Sequence, residues 1–264
     1  MAKEKGKNPT GVRTVFFDMN NTMIDPERSF EQCFTNILID FTGRWDSDDP
    51  DAVPEKAVAQ YMEEWNKRKD KLQISRTGTT DKEKDKTLEV RKACLKAALK
   101  HYPFAVNDTF VQSFFRELKK QQRQHAVLFP DAAETIRELA KTYQLGIISN
   151  GSREVQEEMV RRFGLSEELP RERIFTSIKG EYRKPDSEIF KQALKETATP
   201  ASQAVMVGDS WSNDIVGALK CGMQAVWVSR SAGKKITQRK VGKSKVSVIR
   251  QLKELSSLLP APPQ

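Results

Sequence analysis

The chain has 264 residues, with 45 Lys+Arg against 36 Asp+Glu, 38% hydrophobic residues and three cysteines. That length builds one large domain or two small ones with a substantial core, and 13 Phe with 4 Trp argue against disorder. The net charge of +9 is local: residues 230–250 carry +8 and residues 1–11 carry +2, so the remainder is nearly neutral and nucleic acid is not an expected partner.

Residues 1–11 read as a flexible basic tail rather than a secretory leader, because no apolar stretch follows the lysines. No apolar run approaches the roughly 18 residues of a membrane span. Cys33, Cys94 and Cys221 are odd in number and far apart, which excludes a disulfide scaffold and a zinc ribbon and suits a reducing, cytoplasmic setting. Residues 12–17 form a short β-branched and aromatic strand that runs into Asp18. Asp25-Pro26 then starts a helix with Phe30, Cys33, Phe34, Ile37, Leu38 and Phe41 at helical spacing. A second helix starts at Pro54 and carries Val58, Tyr61, Met62 and Trp65. A third covers residues 79–99 after a loop at 76–79, and Asn107 caps a fourth with Phe110, Val111, Phe114, Phe115 and Leu118. Four amphipathic helices without a strand predict a helical bundle over residues 26–127.

From Pro130 onward helices and strands alternate. Strands are expected at 145–148, 174–177, 204–207 and 225–228, and helices at 152–163, 185–194 and 214–221. Leu252, Leu255 and Leu258 mark a closing helix. Such alternation predicts an α/β fold: a doubly wound, Rossmann-like parallel sheet formed by residues 12–25 and 128–264, with the all-helical bundle inserted after strand one. In such sheets ligands bind beyond the carboxyl ends of the strands. Asp18-Met19-Asn20-Asn21-Thr22 follows the first strand, Ser149-Asn150-Gly151 the second, and Gly208-Asp209-Ser210-Trp211-Ser212-Asn213-Asp214 the fourth. Lys184 stands before a helix in Arg183-Lys184-Pro185-Asp186. Polar groups after three strands, with a lysine before a helix, make a site.

These four segments resemble the motifs of the haloacid dehalogenase superfamily, whose members are mostly phosphatases. Asp18 to Thr22 is similar to its Asp-x-Asp-x-Thr, Ser149 to its Ser/Thr, Lys184 to its lysine, and Gly208, Asp209 and Asp214 to its Gly-Asp-x-x-x-x-Asp. The resemblance implies that the inserted helices are a cap, and its position between two catalytic segments predicts that it closes over the crevice. It also implies that the backbone carbonyl of Asn20 is a metal ligand.

Chemistry supports the same roles. A carboxylate at a strand end can attack phosphorus and form an aspartyl-phosphate, which makes Asp18 the expected nucleophile. Asp18, Asp209 and Asp214 would repel a phosphate dianion without a hard cation, and Mg²⁺ accepts such oxygens. Ser149, with the amides of Asn150 and Gly151 at a helix entry, suits phosphoryl oxygens, and Lys184 supplies a positive charge. Trp211 is expected to be a packed loop aromatic. His101 and His125 lie in the insertion, away from these motifs. Gly242-Lys243-Ser244 lacks the earlier glycine of a phosphate-binding loop.

One position departs from the family pattern. The second Asp of the first motif, the usual acid/base, is Asn20, and the usual glycine after it is Asn21. General acid–base catalysis contributes about 10²–10⁴-fold. The expected function is therefore a Mg²⁺-dependent phosphatase of small phosphorylated metabolites, slow or restricted to good leaving groups. A phosphate-binding pseudoenzyme or sensor is the alternative. A carbon–halogen hydrolase is the third reading, and the intact metal motif counts against it.

Overall fold

The computed structural model describes residues 11–42, 49–69, 81–179, 181–231 and 236–259. The basic tail to residue 10, the loop expected at 76–79, Lys234, Lys235 and the Pro-rich end at 260–263 lie outside them. The chain divides into two compact units, residues 1–26 with 127–264, and residues 27–126.

The first unit is built on β1 (Thr14–Phe17), all four of whose residues are buried. β2 (Ile24–Asp25) and β3 (Val127–Leu128) pair antiparallel where the chain leaves this unit and returns to it. β4 (Gln144–Ser149), β5 (Ile174–Thr176), β6 (Ala204–Gly208), β7 (Gln224–Val228), β8 (Thr237–Val241) and β9 (Ser244–Ile249) complete the strands. The main sheet has seven strands in the order β5-β4-β1-β6-β7-β9-β8, parallel throughout except for the β8–β9 pair. Parallel strands covered on both faces need near-continuous apolar runs, which Leu145, Ile147 and Ile148 or Val205, Met206 and Val207 supply. After β1 the chain fills β4 and β5 on one side and then crosses to β6 and β7 on the other. The switch point therefore falls at the carboxyl end of β1.

The second unit holds α2 (Pro54–Lys69), α3 (Asp81–Ala98), α4 (Asp108–Gln121) and nearly all of α1 (Pro26–Thr42). The Asn107 side chain accepts a 2.9 Å hydrogen bond from the Phe110 N–H, so it caps α4 as its sequence position predicts. Phe34 lies at the centre, with the Tyr61 and Phe114 rings 5.1 Å and 4.8 Å away. Full burial of one such ring contributes about 1.5–3 kcal/mol. Cys33 and Cys94 are buried free thiols in this core.

Back in the first unit, α5 (Ala132–Ala140), α6 (Arg153–Arg162) and α7 (Ser187–Glu196) link successive strands. Three elements differ from the pattern read in the sequence. A π-helical segment, Trp211–Val216, replaces the first turns of the expected helix, and only the short α8 (Gly217–Lys220) follows. The closing helix α9 (Leu255–Leu258) is preceded by a 3₁₀ turn, Leu252–Glu254. Leu259, four residues after Leu255, and not Leu258 joins Leu252 and Leu255 in the core, the i, i+3, i+7 stripe of a 3.6-residue period. Much of the basic segment, to which the sequence reading assigned no element, is the β8–β9 hairpin, whose charged residues are exposed. Among the described residues no helix is long and apolar enough to cross a membrane.

Candidate active site

The site grows from the strand ends. β1 delivers Asp18, whose N–H donates to the Val207 carbonyl of β6 at 2.9 Å and so continues the sheet pairing by one residue. β6 ends at Gly208, where an added Cβ would lie 2.4 Å from the Asp214 carboxyl carbon. Only glycine leaves room for that carboxylate against the strand. The π turn brings it there: Ile215 N–H reaches back to the Ser210 carbonyl, a five-residue step, while the Ser210 N–H donates to Asp214 Oδ2 at 2.9 Å. Lys184 arrives from the loop after β5. Its Nζ donates to Asp18 Oδ1 and Asp214 Oδ1, both at 2.6 Å, and to the Ile148 carbonyl at 2.7 Å.

This cluster is almost dry: Asp18 is 8% exposed, Lys184 2% and Asp214 1%. Burial pushes the Asp18 carboxyl up, to about 7; Lys184 pulls it down and Asp214 pushes it up again. Burial also works against the Lys184 ammonium, but Asp18 and Asp214 outweigh it and raise its pKa. Two carboxylates share one ammonium here, and Asp209 adds a third. Oxygen atoms of Asp18, Asp209 and Asp214 all lie within 4.8 Å of one another. An oxygen-only donor set with surplus negative charge fits a hard divalent cation such as Mg²⁺.

The other expected residues fall as follows. Ser149 ends β4, is buried, and accepts a hydrogen bond from Gly151 N–H at 3.3 Å. A Cβ at 151 would lie 2.1 Å from the Gln156 amide nitrogen, so the Gln156 side chain packs into the space that glycine leaves at the turn into α6. Asn20 is exposed in the loop after β1, and Asn21 takes a left-handed conformation, φ 60°. Asparagine tolerates that region better than other side chains, which explains how it replaces glycine. Trp211 packs edge-on to Trp227 at 5.0 Å, a packed aromatic as expected, but it opens the π-helical segment and does not lie in a loop.

Three contributors escaped the sequence reading. Trp227 donates its indole N–H to the Asp209 carbonyl at 2.8 Å and carries the Arg239 guanidinium 4.7 Å above its ring. Arg230 donates to the Thr22 carbonyl at 2.9 Å and lies 3.5 Å over the Phe129 ring, so two residues of the basic segment are packed against the loops of the site's own unit. The third is the Asn150 side chain, which holds the backbone of Lys184.

A family model described as haloacid dehalogenase-like hydrolase matches residues 15–228, from β1 through β7 and including the insertion. The chain belongs to that family. Among its relatives, glyceraldehyde 3-phosphate phosphatase of Methanothermobacter thermautotrophicus is 35% identical over 102 residues, 38% of this chain and 44% of that protein's own length. N-acylneuraminate-9-phosphatase of Rattus norvegicus is 24% identical over 254 residues, 92% of this chain and 93% of the relative. Among solved structures, the HAD-hydrolase YfnB of Bacillus subtilis, bound to magnesium, covers 94% of this chain and 99% of its own at 22% identity and a TM-score of 0.54, a likeness of fold.

Proposed function

We propose that this haloacid dehalogenase-like hydrolase is a Mg²⁺-dependent phosphatase of small phosphorylated metabolites that works through an aspartyl-phosphate on Asp18. The observation that carries the reading is the buried Lys184 ammonium between Asp18 and Asp214, with Asp209 completing an oxygen-only cluster at the strand ends. The phosphatase names of the relatives point the same way. The inserted helices at 26–127 are proposed as the substrate-selecting cap.

In this mechanism an Asp18 carboxylate oxygen forms a bond to phosphorus while the bond from phosphorus to the leaving oxygen breaks. Lys184 holds Asp18 in place and offsets charge on the phosphoryl oxygens. Ser149 and the amides of Asn150 and Gly151 orient those oxygens. Mg²⁺, held by Asp18, Asp209, Asp214 and the carbonyl of Asn20, would supply the charge that lets an anionic nucleophile approach an anionic phosphate. Water then attacks the acyl-phosphate, releases phosphate and restores the Asp18 carboxylate. The side chain of Asn20 neither gives nor takes a proton at neutral pH, so the leaving group departs without help from that position. Preferred substrates are accordingly those with weakly basic leaving groups. A phosphate-binding sensor is a second reading, favoured by Asn20 alone.

Phosphate release from p-nitrophenyl phosphate and from a panel of phosphorylated metabolites tests this reading. Turnover that needs Mg²⁺ and stops with a chelator supports it. Phosphate binding without turnover supports the sensor, and halide release from haloacids supports the third reading.

Metal binding has its own readout. Saturating Mg²⁺ at 100 times its Kd should stabilise the fold by about 2.7 kcal/mol, or an increase of about 5 °C in Tm for a chain of this size. Asp209→Asn should lose most of that increase while still folding, because Asp209 is less buried than Asp18 and Asp214 and the exchange of carboxylate for amide is nearly isosteric. Equal Mg²⁺ shifts in both proteins, measured by calorimetry, would remove Asp209 from the metal site.

A further inference from the structure

Lys184 faces a problem of reach. It belongs to the loop after β5, yet its ammonium must meet carboxylates that belong to β1 and to the turn after β6, and β4 stands between β5 and β1. A lysine side chain has four flexible bonds and loses much rotamer freedom when fixed. Asn150, the first residue after β4, addresses this at the other end of the side chain. Its Oδ1 accepts from the Lys184 N–H at 2.7 Å and its Nδ2 donates to the Lys184 carbonyl at 3.1 Å. One carboxamide thus makes both hydrogen bonds that a paired residue on a neighbouring antiparallel strand would make. Only one orientation of the amide satisfies both partners, so the pairing also settles which atom is oxygen. Asn150 is held in turn: Ser177 donates its hydroxyl to the Asn150 carbonyl at 3.1 Å and its N–H to the Ser149 carbonyl at 3.1 Å.

We propose that Asn150 is a positioning residue, whose side chain clamps the peptide of Lys184 to the end of β4 and so fixes where the ammonium sits. What Lys184 is for rests on the phosphatase reading; the clamp itself does not. The reason for a backbone clamp lies in the site's own chemistry. Asp18 and Asp214, which hold the ammonium, are the groups expected to bind metal, and Asp18 loses its charge when it carries the phosphoryl group. The Ile148 carbonyl and the Asn150 clamp are the holdfasts that no step of the reaction alters.

The test is competitive acetylation of lysines by acetic anhydride in the metal-free protein, mapped by mass spectrometry, with the exposed Lys191 and Lys195 as internal standards. Wild-type Lys184 should react slowest. Asn150→Asp keeps the acceptor and loses the donor, and Asn150→Ala loses both. Labelling of Lys184 alone should rise in that order, by about tenfold for the alanine variant, the scale set by losing a pair of half-buried hydrogen bonds. Lys184 labelling unchanged in both variants overturns the proposal. Should the alanine variant not fold, the aspartate variant decides by the same comparison. The readout needs no turnover, so a wild-type protein without phosphatase activity would sink the proposed function and leave the clamp to be judged on labelling alone.

Discussion

Asp18→Asn should bring phosphate release down by about 10⁶-fold, the scale seen when a covalent nucleophile is removed. An amide at 18 lacks the attacking oxygen anion and weakens the metal site. The fold should survive, because the variant leaves Lys184 paired one-to-one with Asp214. It should even gain stability in the metal-free state. Burial raises the Asp18 carboxyl to about 7 against 3.8 for an unperturbed group, so between these values the folded protein binds more protons than the unfolded one. Stability of the wild type with chelator present should therefore fall as pH rises from about 4 to 7. Lys184, whose pKa is raised from an already high value, contributes no slope in that window. The Asp18→Asn variant should lose this part of the slope, which urea unfolding at several pH values would measure. An unchanged slope would mean that the Asp18 carboxyl keeps an ordinary pKa in the fold. Residual turnover within tenfold of wild type would mean that another group attacks phosphorus.

Asn20→Asp should act in the opposite direction. The change is nearly isosteric, and Asn20 lies exposed in its loop, so little packing is disturbed. An alkyl phosphate expels a strongly basic alkoxide and needs a proton in the transition state, so its hydrolysis should rise by about 10²–10⁴-fold. A p-nitrophenyl or acyl phosphate expels a weak base, and its first step should gain far less. Breakdown of the aspartyl-phosphate can also gain, because a carboxylate at 20 activates the attacking water. The ratio of alkyl to aryl phosphate rates, wild type against variant, is the measurement. No change in that ratio would show that another residue already moves the proton, or that the pocket is not organised for hydrolysis, which favours the sensor.

What the sequence made legible follows from where each signal resides. The buried parallel strands stand out because they are short apolar runs whose flanks change to polar residues, and Asp18, Ser149 and Asp209 stand immediately beyond such runs. The helical insertion is legible because Cys33, Phe34, Ile37 and Leu38 repeat at the spacing of one buried helix face. The β8–β9 hairpin is not, because Thr237-Gln238-Arg239-Lys240 has no apolar face and reads as plain charge. Its one local sign is the two-residue turn Gly242-Lys243, where Gly242 takes a φ of 57°. The π turn that presents Asp214 has no sequence signature of its own. The Asn150–Lys184 pairing joins residues 34 positions apart, and such partners emerge only once the strands are laid side by side.

The hairpin also bears on how the molecule behaves in company. β8 ends the sheet, and its outer row of backbone donors and acceptors offers a template for a strand of another copy. Thr237 through Lys240 are exposed, so a pairing strand would have to desolvate Arg239 and Lys240 and lie beside the Lys243 and Lys245 charges of a like-charged twin. At the opposite end β5 offers only three residues, too short a ledge for much pairing. Four basic side chains, Arg239, Lys240, Lys243 and Lys245, thereby stand on the edge most open to fibre-like stacking, where like charges oppose the pairing of two such edges.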